Sequence, residues 1–598
     1  MHKFFQTHSA KLRIPWAADL LFWIALGGLN LLLFLPLYLF SRDDTPSLLA
    51  ALDGSLWGGL LLGRESPDPL RVNVEVCLLV IGVANLGWLR RPLVGMLFTV
   101  LYMGILLYYV YESVIYAFYQ SAPVFYSDYF LLAENIRFVF RNLNLPPQVW
   151  ATVILGLLGM GLLVYALIRL LFNHRLLEGL SRSTRYGLAA LALVLLMSAG
   201  FNGAESAQPD RVISSVIAKL VQNVQESLRL YYTTQYFGDD EARAFYSYSG
   251  LRLADKPDVY LIFVESYGSV LYRREDWAVV YQDLLAEVEA ELSGDGWEMM
   301  SSMSAAPIWG GGSWLSYTSA LFGVPVEAES VYQRLMEEDL AQPFPHLLRF
   351  ARNQGYTTYR MTAISTPLTG SAAERLERFF DVDRWIHYAD LEYTGTRYNW
   401  GAAPPDQYSL NKAQAIMDAE SGDAPRFFFT LTQSSHYPWM PTPPILEDWR
   451  DLNLLPDETV YVDLEEMPHD QRRRNYLNAI DYNLRVISDF IRRHGDEDSL
   501  FILIGDHQPP RVSRREDTLD TPIHIISRQP EISQALTQAG FVPGLTMDDL
   551  EPTMAHQGLY SLVVHLLARW NDLPTYRTPL FLPEGVPLEA RQESPGGE

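Results

Sequence analysis

Cysteine is nearly missing. The 598 residues contain one, Cys77, which excludes intramolecular disulfides and zinc sites built from clustered thiolates. Cys77 lies in an apolar run, where an inert buried thiol is expected. Basic residues are in the minority, 46 Lys and Arg against 70 Asp and Glu for a net charge of −24. Phosphate-backbone binding needs clustered cations, so nucleic acid is excluded as a general partner. Internal repeats are absent, and low complexity is confined to the closing Glu-Ser-Pro-Gly-Gly-Glu. What is present is unevenly spread: 14 basic and 11 acidic residues precede residue 201, whereas 32 and 59 follow. The mean hydropathy of +0.01 averages an apolar first third with a strongly acidic remainder.

Five apolar segments approach the roughly 20 residues needed to span a bilayer, at about 16–40, 73–89, 92–118, 150–172 and 184–201. Each is expected to be helical, because lipid offers no partner to backbone N–H and C=O groups. The first run is too long for a signal peptide and no small-residue cleavage site follows it, so it reads as a retained anchor. Lys3, Lys11 and Arg13 precede the first segment, Arg90 and Arg91 separate the second and third, and Arg169, Arg175, Arg182 and Arg185 lie around the fourth-to-fifth junction. These belong on the cytoplasmic side. The other loops carry Asp43, Asp44, Asp53, Glu65, Asp68, Asp128 and Glu134. Five spans would thus place everything after residue 201 outside the cytoplasm, as in a multi-pass protein of a bacterial inner membrane. Trp16, Trp88 and Trp150 stand near segment ends as interfacial aromatics do, and Glu75 reads as an end-of-helix carboxylate reaching the interface.

The expected organisation is a transmembrane domain over 1–201, an amphipathic helical linker over 202–256, a catalytic domain over 257–585 and a disordered tail over 586–598. Within 211–231, Val212, Ile213, Val216, Ile217, Leu220, Val221, Val224, Leu228 and Tyr231 recur at helical spacing, with Lys219, Gln222, Asn223 and Glu226 elsewhere. Such a helix either lies on the membrane or packs on the outer domain. Beyond Pro257, apolar strands at Val259–Val264, Trp297–Met303, Tyr356–Met361, Phe427–Leu431 and Leu500–Ile504 alternate with helices near 343–354, 470–493 and 556–570. This pattern predicts an α/β domain with a mainly parallel sheet covered on both faces. Ligands in such sheets bind at the carboxyl ends of strands.

Two apolar strands run directly into acids: Val264 into Glu265-Ser266-Tyr267-Gly268, and Ile504 into Gly505-Asp506-His507. A carboxylate at the exit of a buried strand calls for a cation or an arginine. Between them, Trp309-Gly310-Gly311-Gly312-Ser313-Trp314 precedes a helical-looking stretch to Gly323. Gly312 allows close approach of the backbone, and a serine at a helix N-terminus has amides at hand for a phosphoryl oxygen. A divalent metal held by Glu265, Asp506 and His507 would activate Ser313 as a nucleophile.

These residues resemble the membrane-bound branch of the alkaline phosphatase and sulfatase superfamily, which includes lipoteichoic acid synthases and the phosphoethanolamine transferases of lipid A. The resemblance implies that Glu265, Ser313, Asp506 and His507 hold one metal ion and that Ser313 is the nucleophile. It also implies that His436, in Ser434-Ser435-His436-Tyr437-Pro438, holds the substrate phosphate or assists proton transfer. The spacing Ser313, Ser316, Leu321, Gly323 follows the sulfatase signature, with Leu315 in place of its Pro and Tyr317 in place of its Arg. The Trp-x-Arg of the synthases is missing between 356 and 400, and Arg360, Arg375 or Arg378 is a substitute for substrate binding only if it is not a surface ion pair. His346, His524 and His556 read as structural. Three oxygen ligands and one imidazole suit Mn²⁺ or Zn²⁺ better than Mg²⁺.

The resemblance implies a transferase that moves a phosphorylated head group, phosphoglycerol or phosphoethanolamine, from a membrane phospholipid to an extracytoplasmic glycan or lipid through a phospho-serine. The alternatives are a hydrolase of the same type and a catalytically inactive sensor or assembly factor of the same fold.

Overall fold

The computed structural model describes residues 16–40, 71–130, 147–202, 212–235, 237–238, 240–337, 344–365, 370–398, 401–460, 469–513, 517–574 and 576–590. They fall into two compact units, one drawn from 1–117, 122–125 and 132–227, the other from 118–121, 126–131 and 228–598.

The first unit is helical: α1 (Ala17–Phe40), α2 (Val74–Asn85), α3 (Pro92–Tyr119), α4 (Pro147–Leu171), α5 (Arg182–Asn202) and the start of α6 (Val216–Gln235). Three helical stretches are long and apolar enough to cross a membrane: Ala17–Phe40, Pro92–Ala117 and Ile154–Leu171, with mean hydropathies of 2.2, 2.1 and 2.2. Their inward faces, including Phe22, Leu29, Tyr102, Tyr109, Val164 and Ile168, form a core. Outward they expose Leu97, Val100, Leu101, Leu155, Leu158 and Leu162, the reverse of what water would tolerate over such lengths. The expected second and fifth spans do not meet the same standard. Helix α2 has 12 residues, about 18 Å against the roughly 30 Å of a hydrocarbon core. Helix α5 has 21 residues but opens on Arg182 and Arg185 and carries Ser, Thr, Gly and Asn. Trp88 and Trp150 have side chains outside the described set.

Glu75 departs from its expected role at the interface. Its carboxylate accepts the backbone N–H groups of Val216 at 3.0 Å and Ile217 at 3.2 Å, as well as the Ser215 hydroxyl. It therefore caps the N-terminus of α6, where orphan amides and the positive dipole end favour an anion.

The second unit contains the α/β domain. Among the described residues its sheet has nine strands: β1 (Asp258–Val264), β2 (Glu298–Ala305), β3 (Thr357–Thr362), β4 (Arg384–His387), β5 (Arg426–Leu431), β6 (Ser499–Gly505), β7 (Asp520–Ser527), β8 (Val542–Pro543) and β9 (Pro552–Ala555). The order is β8-β2-β7-β6-β1-β5-β3-β4, with β9 beside β2. The stretch β6-β1-β5-β3-β4 is parallel throughout, and β7 runs antiparallel to both β6 and β2. The sheet is thus mostly parallel, as expected, and mixed at one side.

Strand β1 is apolar on both faces because both are covered. Tyr260, Ile262 and Val264 join the core with α7 (Glu275–Gly294), α10 (Asp406–Ser421) and α11 (His469–His494). On the opposite face Phe263 meets Tyr317 of α8 (Ser313–Phe322) and His556, next to α12 (Leu559–Trp570). Helix α9 (Leu347–Gln354) ends on Gly355. The tail starts later than expected: Val586 is buried with its N–H on Gly323 O at 2.9 Å, and Glu589–Ala590 pairs with Phe237–Gly238, while 591–598 lie outside the described residues.

Candidate metal centre and active site

Strand register assembles the site. In the parallel pair β1 and β6, Val264 lies opposite Gly505, so the next residues, Glu265 and Asp506, leave the sheet side by side. Strand β5 exits beside them, with Phe263 opposite Leu431. The Thr432 N–H then donates to Phe263 O at 2.9 Å and the Glu265 N–H to Thr432 Oγ1 at 3.0 Å. A Cβ on Gly505 would lie 1.9 Å from the Tyr267 carbonyl oxygen, so only glycine permits this crossing of chains. Ser266 adopts φ 58, a left-handed conformation uncommon outside glycine, and its N–H donates to Asp506 Oδ1 at 2.7 Å.

Ser313 is the first residue of α8, after Gly312 at the cap. Its Oγ donates to Glu265 Oε2 at 3.1 Å and lies 3.3 Å from His507 Nε2, which also receives the Gly311 N–H at 3.3 Å. His507 Nδ1 faces Gln508 O at 2.9 Å and so carries the ring proton, which directs the Nε2 lone pair into the cluster. At its other end α8 stops on Gly323, at φ +72, where a Cβ would meet the Tyr246 ring at 2.3 Å.

Glu265, Asp506 and His507 are buried, with their donor atoms within 4.8 Å of one another. Among the described residues, neither carboxylate forms an ion pair with Lys or Arg; the basic side chain beside each is His507, at 3.7 and 3.4 Å. Among the described residues, Asp506 Oδ2 is buried without a hydrogen-bond partner. Burial, with the neighbouring Glu265 charge, pushes the Asp506 carboxyl up to about 7. Burial opposes protonation of His507, but the Asp506 and Glu265 carboxylates outweigh it and raise its pKa. Two buried acids, an orphaned carboxylate oxygen and an inward imidazole lone pair fit a divalent cation, which would supply the missing positive charge.

His436 reaches this centre on the loop after β5. Ser435 Oγ donates to Glu265 O at 2.7 Å, and Asn483 Nδ2 of α11 donates to Ser435 Oγ at 2.7 Å and to Thr432 Oγ1 at 3.0 Å. Asp406, at the start of α10, takes the N–H groups of Gln433 at 2.9 Å and Ser434 at 2.7 Å. His436 Nδ1 faces Tyr437 O at 2.8 Å, and burial lowers its pKa, which keeps the ring neutral at pH 7.

Arg360 is placed differently from the ligand cluster. Its guanidinium is boxed by aromatic rings, 3.8 Å from the Phe380 centroid and 4.1 Å from that of Trp385, with Nη2 at 3.4 Å from Tyr317 OH. Arg375 donates to Gln333 Oε1 at 2.9 Å. His524 is clasped by Tyr267 OH and Ser301 Oγ, and His556 by Ser304 Oγ and Gly505 O. His346 caps α9 by accepting the Arg349 N–H. Sequence reasoning did not find Asp406 or Asn483; a polar residue inside a helix pattern carries no mark of the loop it will hold.

The family model described as Sulfatase matches residues 308–542, a segment that includes Ser313, His436, Asp506 and His507 and begins after Glu265. No curated protein matches the chain in sequence. Among solved structures, the lipoteichoic acid synthase LtaP from Listeria monocytogenes is similar at 15% identity over 57% of this chain and 80% of that one, with a TM-score of 0.36. The C-terminal periplasmic domain of EcEptC from Escherichia coli, in complex with Zn, is 15% identical over 54% and 85%, with a TM-score of 0.33. The phosphoglycerol transferase GacH from Streptococcus pyogenes, in complex with sn-glycerol-1-phosphate, is 14% identical over 59% and 92%, with a TM-score of 0.32. Residues 308–542 thus match the Sulfatase family model, and the strand that delivers Glu265 precedes that segment.

Proposed function

We propose that the protein is a membrane-anchored transferase that takes a phosphorylated head group from a phospholipid and delivers it to an extracytoplasmic glycan or lipid hydroxyl. The observation that carries this reading is the Ser313 hydroxyl, half-buried at a helix N-terminus and within 3.3 Å of both Glu265 and His507. Glu265, Asp506 and His507, joined by Ser313 Oγ, would hold one divalent ion, Mn²⁺ or Zn²⁺, which supplies Lewis-acid polarisation of the phosphate. Ser313 Oγ forms the new bond to phosphorus as the bond to the diacylglycerol oxygen breaks, and the hydroxyl proton ends on that departing oxygen. In the second step an acceptor hydroxyl forms its bond to phosphorus, the Ser313 Oγ–phosphorus bond breaks, and the acceptor's proton ends on Ser313. Neutral His436 relays these protons, and the amides at the start of α8 favour the phosphoryl oxygens. The phosphoglycerol and phosphoethanolamine types are the head groups proposed.

The anchor gives such an enzyme access to a lipid donor, with the amino terminus and the loops at 90–91 and 173–185 cytoplasmic and the α/β domain outside. A reporter active only outside the cytoplasm should work when fused near residue 250 and fail at Arg91. The chemistry is tested by mass spectrometry of Ser313 after incubation in native lipid: a phosphodiester adduct supports the reading, and its mass names the head group. An unmodified Ser313 under turnover would sink it. Product analysis with and without an acceptor separates transfer from hydrolysis.

A further inference from the structure

Helix α6 presents three sectors to three surroundings. At about 100° per residue, Val216, Lys219, Asn223, Leu230 and Thr234 share one sector, and all are buried. Ile217, Leu220, Val221, Val224, Leu228 and Tyr231 fill the next sector, and all are exposed. Gln222, Gln225, Glu226 and Arg229 lie in the third, outside both.

The polarity of the first two sectors is inverted relative to a helix on a protein in water. Lys219 is turned inward onto Glu112 in a buried ion pair, and Asn223 Oδ1 accepts the Phe125 N–H at 2.8 Å. The aliphatic side chains point out. The Glu112 carboxylate fixes Lys219 on the inward side, and this orientation leaves six apolar side chains facing out. An environment that rewards apolar exposure accounts for it.

We propose that α6 is an interfacial helix, with the Ile217-to-Tyr231 stripe set into the acyl edge of a lipid bilayer and the Gln222-to-Arg229 sector in water. Lipid is the occupant for three reasons. Ile217, Leu220, Val221 and Val224 of the stripe belong to the same compact unit as the three helices whose exposed apolar lengths suit a membrane. The stripe is bordered on one side by a polar sector in which Gln225 and Arg229 are exposed and Gln222 and Glu226 half-buried, the division a water–lipid boundary imposes. Tyr231 ends the stripe, and a phenol suits the head-group level. Cations are sparse, Arg229 being the basic residue in the polar sector, so insertion rests on apolar area and should be insensitive to salt.

The test uses the full chain in vesicles of phosphatidylethanolamine and phosphatidylglycerol, with single cysteines at 217, 221, 224 and 228 and at 222, 225 and 229 in a Cys77→Ala background, each carrying a small fluorophore. Brominated acyl chains should quench the first set severalfold more than the second, and aqueous iodide should do the reverse, at both low and high salt. Equal iodide quenching of both sets would overturn the proposal. So would a first set shielded from iodide yet untouched by brominated lipid, which would mean that a protein, a second copy included, covers the stripe. If Cys77→Ala does not fold, the same measurement is made with Cys77 retained, since that thiol is buried. No turnover is measured, so the outcome is independent of the transferase reading.

Discussion

Ser313 Oγ donates to Glu265 Oε2 across 3.1 Å, although the two residues are 48 apart in sequence. The hydroxyl is thereby oriented with its hydrogen on the Glu265 carboxylate and its oxygen beside His507.

Replacing Ser313 by alanine should reduce release of diacylglycerol from native lipid at least about a thousandfold while leaving metal content near that of wild type, because only the attacking oxygen is lost. Ser313→Thr keeps that oxygen and should retain part of the activity. Ser316→Ala is the control: Ser316 is fully buried and its hydroxyl lacks a partner among the described residues, so the change should leave turnover intact. Normal turnover in Ser313→Ala would remove this residue from the reaction.

Asp506→Ala and Glu265→Ala should each release the bound ion, since a site with so few protein ligands cannot spare a charged one. Elemental analysis of the purified full-length protein is the check, with circular dichroism to confirm the fold. Equal metal in wild type and both variants would make these acids structural.

Asp406 offers a pH test. Burial pushes its carboxyl up to about 6, against the three N–H contacts that favour the charged form. A folded pKa above the unfolded value of 3.8 means that its stabilising contribution is complete below about pH 4 and is lost as pH rises through 6. Wild type should therefore lose urea resistance relative to Asp406→Asn between pH 4 and 7, by up to a few kcal/mol. A gap independent of pH would show that the carboxyl titrates normally. Loss of the His436 loop anchor should also slow turnover in Asp406→Asn at every pH.

The Lys219 and Glu112 pair is buried on both sides. Removing either partner alone should destabilise the protein by about 3 to 5 kcal/mol, whereas replacing both by apolar residues of similar size should cost far less. Thermal unfolding in detergent distinguishes these cases; equal losses for single and double variants would mean that the pair is not coupled.

The strands that carry Glu265 and Asp506 were legible because strands buried on both faces read as unbroken apolar runs, and a sudden acid at their exit stands out. The helix register from Ser313 to Gly323 was legible from its glycine punctuation. Strand β4, Arg384–His387, was not: four residues with two polar ends lack the length and periodicity of a strand. The five-span count is matched by three long apolar helices among the described residues; at α2 the apolar run continues past the helix end at Asn85 into a 3-10 turn, so composition overstated helical length. Hydrophobic spacing placed Ile217, Leu220 and Val224 on one face but could not say which face would be buried, and the inward turn of Lys219 depends on Glu112, more than 100 residues away.

The pairing of β1 with β6 also brings together residues far apart in the chain. Ser266 and Asp506 are 240 residues apart, yet their strands are neighbours at the centre of the sheet. A chain synthesised only as far as residue 490 holds Glu265, Ser313 and His436 but has no third ligand, and its β1 is left with one open edge. An ion held by Glu265, Asp506 and His507 would therefore be held only once β6 has joined β1 and closed the central sheet.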